Sequence, residues 1–180
     1  MIDTKYRQQY QQMIQEGHFE GVARPKEWKW AKQLFNNTGC KTLLDFGCGQ
    51  GKQWSGPFAP IWGKLKPTLY DPAVEKHSKV PEYNHDMIMS TDVLEHIPDY
   101  TLPSVINYCT SNANKANFHF IANREAMKCL PNGENAHCST FPVEWWVNMF
   151  EKYTVNKIPT LLVFTDKDSN GNRIKVKMWY

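Results

Sequence analysis

No stretch of the 180-residue chain approaches the roughly 18 consecutive apolar residues that a membrane span requires. The first twelve residues, MIDTKYRQQYQQ, lack the apolar centre of a secretory signal. There is no CxxC pair, and the five cysteines, Cys40, Cys48, Cys109, Cys129 and Cys138, are odd in number. That argues against a disulfide framework or a structural zinc site and for a reducing compartment. A concentrated basic patch is also missing. The net charge is +3, and the densest basic group, Arg173, Lys175 and Lys177, alternates as on an exposed strand face. No internal repeat or low-complexity tract occurs. The reading is a soluble cytoplasmic protein with no strong nucleic-acid signal and no membrane partner. Nothing in the sequence bears on oligomeric state.

What is present suits one packed domain. The apolar fraction is 41%, and aromatics make up 13%, with seven tryptophans. Residues 3–16 carry a helical stripe through Tyr6, Tyr10, Met13 and Ile14, ended by Gly17. A second helix is predicted from Pro25 to Thr38-Gly39. Strands are predicted at 41–46, 66–71, 86–91 and 116–122, with a helix from about 101 and another at 142–152. Residues 123–141 form an irregular loop, longer than the roughly 12–15 residues beyond which loops tend to be functional or disordered. Two last strands, at about 158–165 and 173–179, flank SNGN, a hairpin turn signal. Alternating strands and helices predict a mostly parallel sheet with helices on both faces and a C-terminal antiparallel β-hairpin.

In such sheets, ligands bind beyond the carboxyl ends of the strands. Three acid-bearing strand ends converge there: Asp45-Phe-Gly-Cys-Gly-Gln-Gly51, Tyr70-Asp71-Pro72 and Ser90-Thr91-Asp92. The glycines allow positive φ and close approach of a ligand to the backbone. Asp71 follows Gly51 by 20 residues, about the spacing at which an acid meets ribose hydroxyls. A dinucleotide site would prefer GxGxxG, but Gly51 is out of step with that frame. The helix after the glycines is cut short by Gly56, Pro57 and Pro60.

The DxGxGxG turn and the segment DMIMSTDVLEHIPD together resemble the class I S-adenosylmethionine-dependent methyltransferases over about residues 40–180. The resemblance implies a Rossmann-like core at 40–180 behind an N-terminal helical cap at 1–39, one domain over 1–180, on a seven-strand plan. It implies S-adenosylmethionine as cofactor. Asp45, Gly47, Cys48, Gly49 and Gly51 would line its methionine part. Asp71, with Pro72, would take the ribose, and Thr91, Asp92 and Val93 would border the cofactor and the reacting centre. The chain departs from the family where only 14 residues separate Asp71 from Asp86. That reduces the third-strand region, which normally supplies an acid to the adenine. Either Glu82 or a backbone group would substitute, or the adenine would lie more open.

Methyl transfer needs a base only when the nucleophile starts protonated. His96 and His137 are the candidates, because histidine titrates near neutral pH. Asp92, Glu95, His96 and the distal His137 also resemble the ligand pattern of certain metal-dependent O-methyltransferases. Here the first acid is Asp rather than Glu. A histidine base or donor is preferred, and no metal ligand is assigned. Of the adjacent Trp145 and Trp146, one is expected in the core and one beside the substrate. Trp54, Phe58 and Trp62 are candidates to wall the site, with core packing the expected role for most of these aromatics. No NPP-aromatic or Pro-Cys motif points to nucleic-acid bases. The expected activity is methyl transfer to an O or N of a small molecule or metabolite. The alternative is a non-catalytic S-adenosylmethionine-binding module or partner subunit.

Overall fold

Strand β1, Leu43–Phe46, is buried at every position because it has a strand on each edge and a layer on each face. Its side chains alternate between the layers. Leu43 packs in a cluster with Trp28, Leu34 and Phe118, while Leu44 and Phe46 join Ile106, Trp146 and Phe150 on the other face. The computed structural model describes residues 4–19, 27–167 and 173–179.

Beside β1 lie β2, Thr68–Tyr70, and β3, His85–Thr91. The sheet continues through β4, Ala113–Ile121, β5, Thr160–Lys167, and β6, Arg173–Trp179, in the order β2-β1-β3-β4-β5-β6. The first five in that order run parallel. Strand β6 pairs antiparallel with β5. The SNGN turn predicted between them falls outside the described residues, as does Pro25 at the predicted helix start. The seven-strand plan is shortened between β2 and β3, where residues 71–84 hold one 3-10 turn, Glu75–His77, and no strand.

Helix α1, Thr4–Gln15, and helix α2, Trp28–Asn37, part company. Helix α2 buries Trp28, Ala31, Leu34 and Phe35 against one sheet face. Helix α1 instead lies over the 123–141 loop, where Met13 packs with Leu130 and Ala136. On the opposite face, α3, Leu102–Asn112, and α4, Val143–Tyr153, contribute Val105, Ile106, Trp146 and Phe150 to the core. Burying a side chain such as Phe150 contributes roughly 1.5–3 kcal/mol, so α4 is held chiefly by its apolar stripe. Trp146 is fully buried, and Trp145 stacks on Phe141 at the end of the long loop, with ring centroids 4.0 Å apart.

The shortened segment after the glycines forms two 3-10 turns, Lys52–Ser55 and Ala59–Trp62. Of the three aromatics in this segment, Trp54 reaches Asp45 at the strand end. Trp62 sits in the core layer against Trp28 and Phe35, and Phe58 is exposed. Two prolines and Gly56 leave too few helical residues to bury an apolar stripe of their own, so Trp62 fills the space beside α2 instead.

Candidate active site

Beyond Phe46 the chain passes through Gly47, Gly49 and Gly51 with φ of 78°, 54° and 74°. Other residues rarely adopt these values. Space is short as well: a Cβ on Gly47 would lie 2.4 Å from Val93 Cγ1, and one on Gly51 would lie 2.8 Å from Leu69 Cδ1. The turn is thus pressed between the ends of β2 and β3. Gly47 N and Cys48 N donate to the Tyr70 carbonyl at 2.8 and 3.1 Å, and Gly49 N donates to Asp71 Oδ2 at 2.8 Å. Ala73 N donates to Asp71 Oδ1 at 2.9 Å. Asp71 therefore shapes the glycine turn while each oxygen keeps a second lone pair for a ligand. Pro72 follows it, half-buried.

Cys48 contributes backbone rather than thiol. Its side chain is buried and donates to the Gly49 carbonyl at 3.3 Å, and burial raises its pKa. Asp45 is almost fully buried. Its Oδ2 accepts from Trp54 Nε1 at 2.6 Å and from Gln53 Nε2 at 3.2 Å. Burial still pushes its carboxyl up to about 6, and the charge of Asp71 adds to the rise. Burial raises Asp71 too. Two desolvated acids facing one turn make a place where a cationic ligand offsets the cost of both charges. Gln53 Oε1 is a buried acceptor with no partner among the described residues. The donor set therefore fits S-adenosylmethionine, which carries a sulfonium, an ammonium and ribose hydroxyls.

Glu82 does not replace the missing adenine acid. It precedes β3 and pairs with Lys79 at 2.7 Å on the surface. Its neighbour Tyr83 bonds Thr68, the first residue of β2, which places this segment at the amino ends of the strands. His77 instead lies by the glycine turn. Its Nε2, buried and unpartnered among the described residues, is 3.4 Å from where a Gly51 Cβ would stand.

At the end of β3, Thr91 is buried, Val93 is half-buried and Asp92 is exposed. Asp92 has φ 63°, a left-handed conformation that costs a non-glycine residue about 1–2 kcal/mol. Its amide donates to the Phe120 carbonyl at 3.0 Å, tying the strained residue to β4. A 3-10 turn, Leu94–His96, follows. It sends Leu94 into the core and buries Glu95, whose Oε1 accepts from Ala122 N at 2.6 Å. Glu95 Oε2 is buried with no partner among the described residues.

The long loop returns to this turn. Ser139 N donates to the Glu95 carbonyl at 3.0 Å, and Ser139 Oγ donates to the Ile97 carbonyl at 2.6 Å. Asn135 Oδ1 accepts from the amides of Ala126 and His137, both at 2.9 Å. These bonds bring His137 beside His96, ring centroids 4.5 Å apart. Asp92, Glu95 and His137 each offer one ligand atom, all within 4.8 Å of one another.

Both histidines are held neutral and oriented. His137 Nδ1 donates to the Arg124 carbonyl at 2.5 Å, which leaves Nε2 as its lone pair. Burial lowers its pKa against the opposing pull of that bond. Burial, then the neighbouring His137, pushes His96 down to about 4. Burial and the charge of Asp92 hold the Glu95 carboxyl well above the usual range.

Compared with known protein families, residues 23–154 match the methyltransferase domain. The chain belongs to this class I S-adenosylmethionine-dependent methyltransferase family. No curated protein matches the chain. The matched segment of this methyltransferase includes the glycine turn, the β3 end and His137, and begins after α1. The expected cofactor residues lie at or just past the carboxyl ends of β1, β2 and β3. Gln53, Ser139, Asn135 and Tyr10 went unnoticed in the sequence, since amide, hydroxyl and phenol side chains carry no signature until the fold supplies their partners.

Proposed function

We propose that this methyltransferase uses S-adenosylmethionine to methylate an oxygen or nitrogen of a small-molecule or metabolite acceptor. The observation that carries the reading is the junction of two groups on adjacent strand ends. The buried Asp45 and the half-buried Asp71 flank the glycine turn at the ends of β1 and β2, and Asp92, Glu95, His96 and His137 gather past β3.

The bound cofactor supplies an electrophilic methyl group. Asp71 would accept the ribose hydroxyls with its unused lone pairs, and Asp45 with Gln53 Oε1 would meet the ammonium group. Val93 and the glycine backbone would fix the depth at which the methyl lies, and alignment supplies much of the rate. His137 Nε2 would take the acceptor's proton, with Arg124 holding Nδ1. The exposure of Asp92 beside these buried groups gives the acceptor its point of entry. The modest net charge of +3 favours a small acceptor over a nucleic acid.

One observation favours a second feature. A buried carboxylate oxygen without a partner, Glu95 Oε2, sits in a three-residue set of O, O and N donors. That set fits a divalent cation, which Asp92, Glu95 and His137 would hold. Such an ion would lower the pKa of an acceptor hydroxyl. A non-catalytic S-adenosylmethionine-binding module is the remaining reading. Transfer of labelled methyl from S-adenosylmethionine across a metabolite panel separates these. Turnover lost in His137→Ala supports the enzyme, and binding without turnover of any acceptor supports the module. Full turnover after treatment with EDTA removes the cation.

A further inference from the structure

Helix α1 precedes the residues matched to the methyltransferase domain, yet it reaches the donor cluster. Tyr10 Oη lies 2.8 Å from His96 Nδ1 and donates to the Ala136 carbonyl at 2.9 Å. His96 Nδ1 is itself 2.9 Å from that same carbonyl. Three polar atoms thus form a triangle in which the carbonyl can only accept. Were Nδ1 unprotonated, the phenol would offer one hydrogen to two acceptors, and the Nδ1 lone pair would face the carbonyl oxygen. The arrangement is satisfied when His96 carries its proton on Nδ1 and keeps its lone pair on Nε2.

The Tyr10 ring adds a steric restraint. It meets His96 edge-on at 5.6 Å, and Phe19 lies 5.5 Å from Tyr10 and 6.4 Å from His96. The helix is fastened to the loop rather than to the sheet. Tyr6 donates to Glu134 Oε2 at 3.1 Å, Asn132 N donates to Gln9 Oε1 at 3.1 Å, and Lys128 donates to the His18 carbonyl. Tyr10 is the point at which that fastening reaches a histidine of the cluster.

We infer that α1 is part of the reaction site and that Tyr10 is a positioning residue for His96, holding its ring against the Ala136 carbonyl and, together with that carbonyl, its Nδ1–H tautomer, so that Nε2 is the unprotonated nitrogen. In its consequences for activity the inference rests on the proposed role of the cluster. The tautomer itself does not. A hydrogen-bond partner behind an imidazole sets which nitrogen is free, and losing such a partner typically costs about 10–100-fold in the affinity of a metal site.

The test uses the full chain and Tyr10→Phe, which keeps the ring contacts and deletes the hydroxyl. Tyr6→Phe, which removes a different fastening of the same helix, is the control. Long-range proton–nitrogen NMR of the metal-free protein reports the His96 tautomer. The expected result is the Nδ1–H form in the wild type and in Tyr6→Phe, and a mixed or exchange-broadened His96 signal in Tyr10→Phe. An Nε2–H form in the wild type, or His96 signals unchanged in Tyr10→Phe, overturns the inference. A Mn2+ titration followed by electron paramagnetic resonance is the second arm. Because the His96 ring packs against His137 of the ligand set, with centroids 4.5 Å apart, Tyr10→Phe should weaken binding several-fold, with Tyr6→Phe unchanged. An equal loss in both variants would make α1 a mere cover and overturn the positioning role. If the wild type binds no Mn2+, the cation reading fails and the tautomer spectra alone decide the role of Tyr10.

Discussion

The indole N–H of Trp54 donates to Asp45 Oδ2 at 2.6 Å, joining the shortened segment after the glycines to the acid that ends β1. Gly56 and the prolines cut the helix short, and the remaining 3-10 turn brings residue 54 back over the strand end, where a continuing helix would carry it away. Trp54→Phe keeps the packing against Trp28, 4.5 Å away, and removes the donor. Stability at neutral pH should fall by about 1.5–3 kcal/mol, the worth of a hydrogen bond to a charged group. Urea denaturation measures it. The loss should shrink at pH 4, where Asp45 is protonated.

The pH dependence of the free protein and that of the complex run in opposite directions. Asp45 is pushed up to about 6 in the fold, above its ordinary 3.8. Its contribution to stability is therefore present below pH 3.8 and is lost as pH rises to about 6. A cationic ligand prefers the ionised acid. Affinity for S-adenosylmethionine should accordingly weaken as pH falls from 7 to 5, and Asp45→Asn should remove most of that dependence. Calorimetry at several pH values checks both.

Ser139 places His137. Its hydroxyl is buried on the Ile97 carbonyl, so Ser139→Ala leaves that acceptor without its donor, at a cost of about 1–3 kcal/mol. The loop then returns to the β3 end less accurately. Turnover should drop by about 10²-fold, the penalty for a displacement near 1 Å, while cofactor affinity is unchanged. Comparing turnover with calorimetric affinity separates the two effects.

Asp92 is held at φ 63°. Asp92→Ala keeps the strain and Asp92→Gly releases it, so the glycine variant should be about 1 kcal/mol more stable than the alanine variant. Both should lose activity if the carboxylate serves the reaction. Equal stability of the two variants in urea would show that the backbone relaxes.

What the sequence made legible follows from distance along the chain. The glycines, Asp45, Asp71 and Asp92 sit at strand ends, and strand ends are set by local patterning. Their meeting in one cleft then follows from a parallel sheet. Glu95 and His96 lie on the same short turn as Asp92. The contacts that finish the site are of another kind. Tyr10 is 86 residues from His96, and Ser139 is 42 from Ile97. No periodicity records such pairs. Trp62 shows the same limit: an aromatic near a glycine turn suits a pocket wall or the core equally until α2 takes its place beside it. The acid pair's tie to the turn, Asp71 to Gly49 N, was likewise invisible, although Asp71 itself was plain.

The central claim is that the cleft over Asp45, the glycine turn and Asp71 binds S-adenosylmethionine. Calorimetric titration of the full chain with S-adenosylmethionine and S-adenosylhomocysteine tests it most directly, with Asp71→Ala alongside. The account predicts binding of both by the wild type and weaker binding by the variant, which loses the ribose partner and the support of Gly49. No binding of either compound by the folded wild type would contradict it.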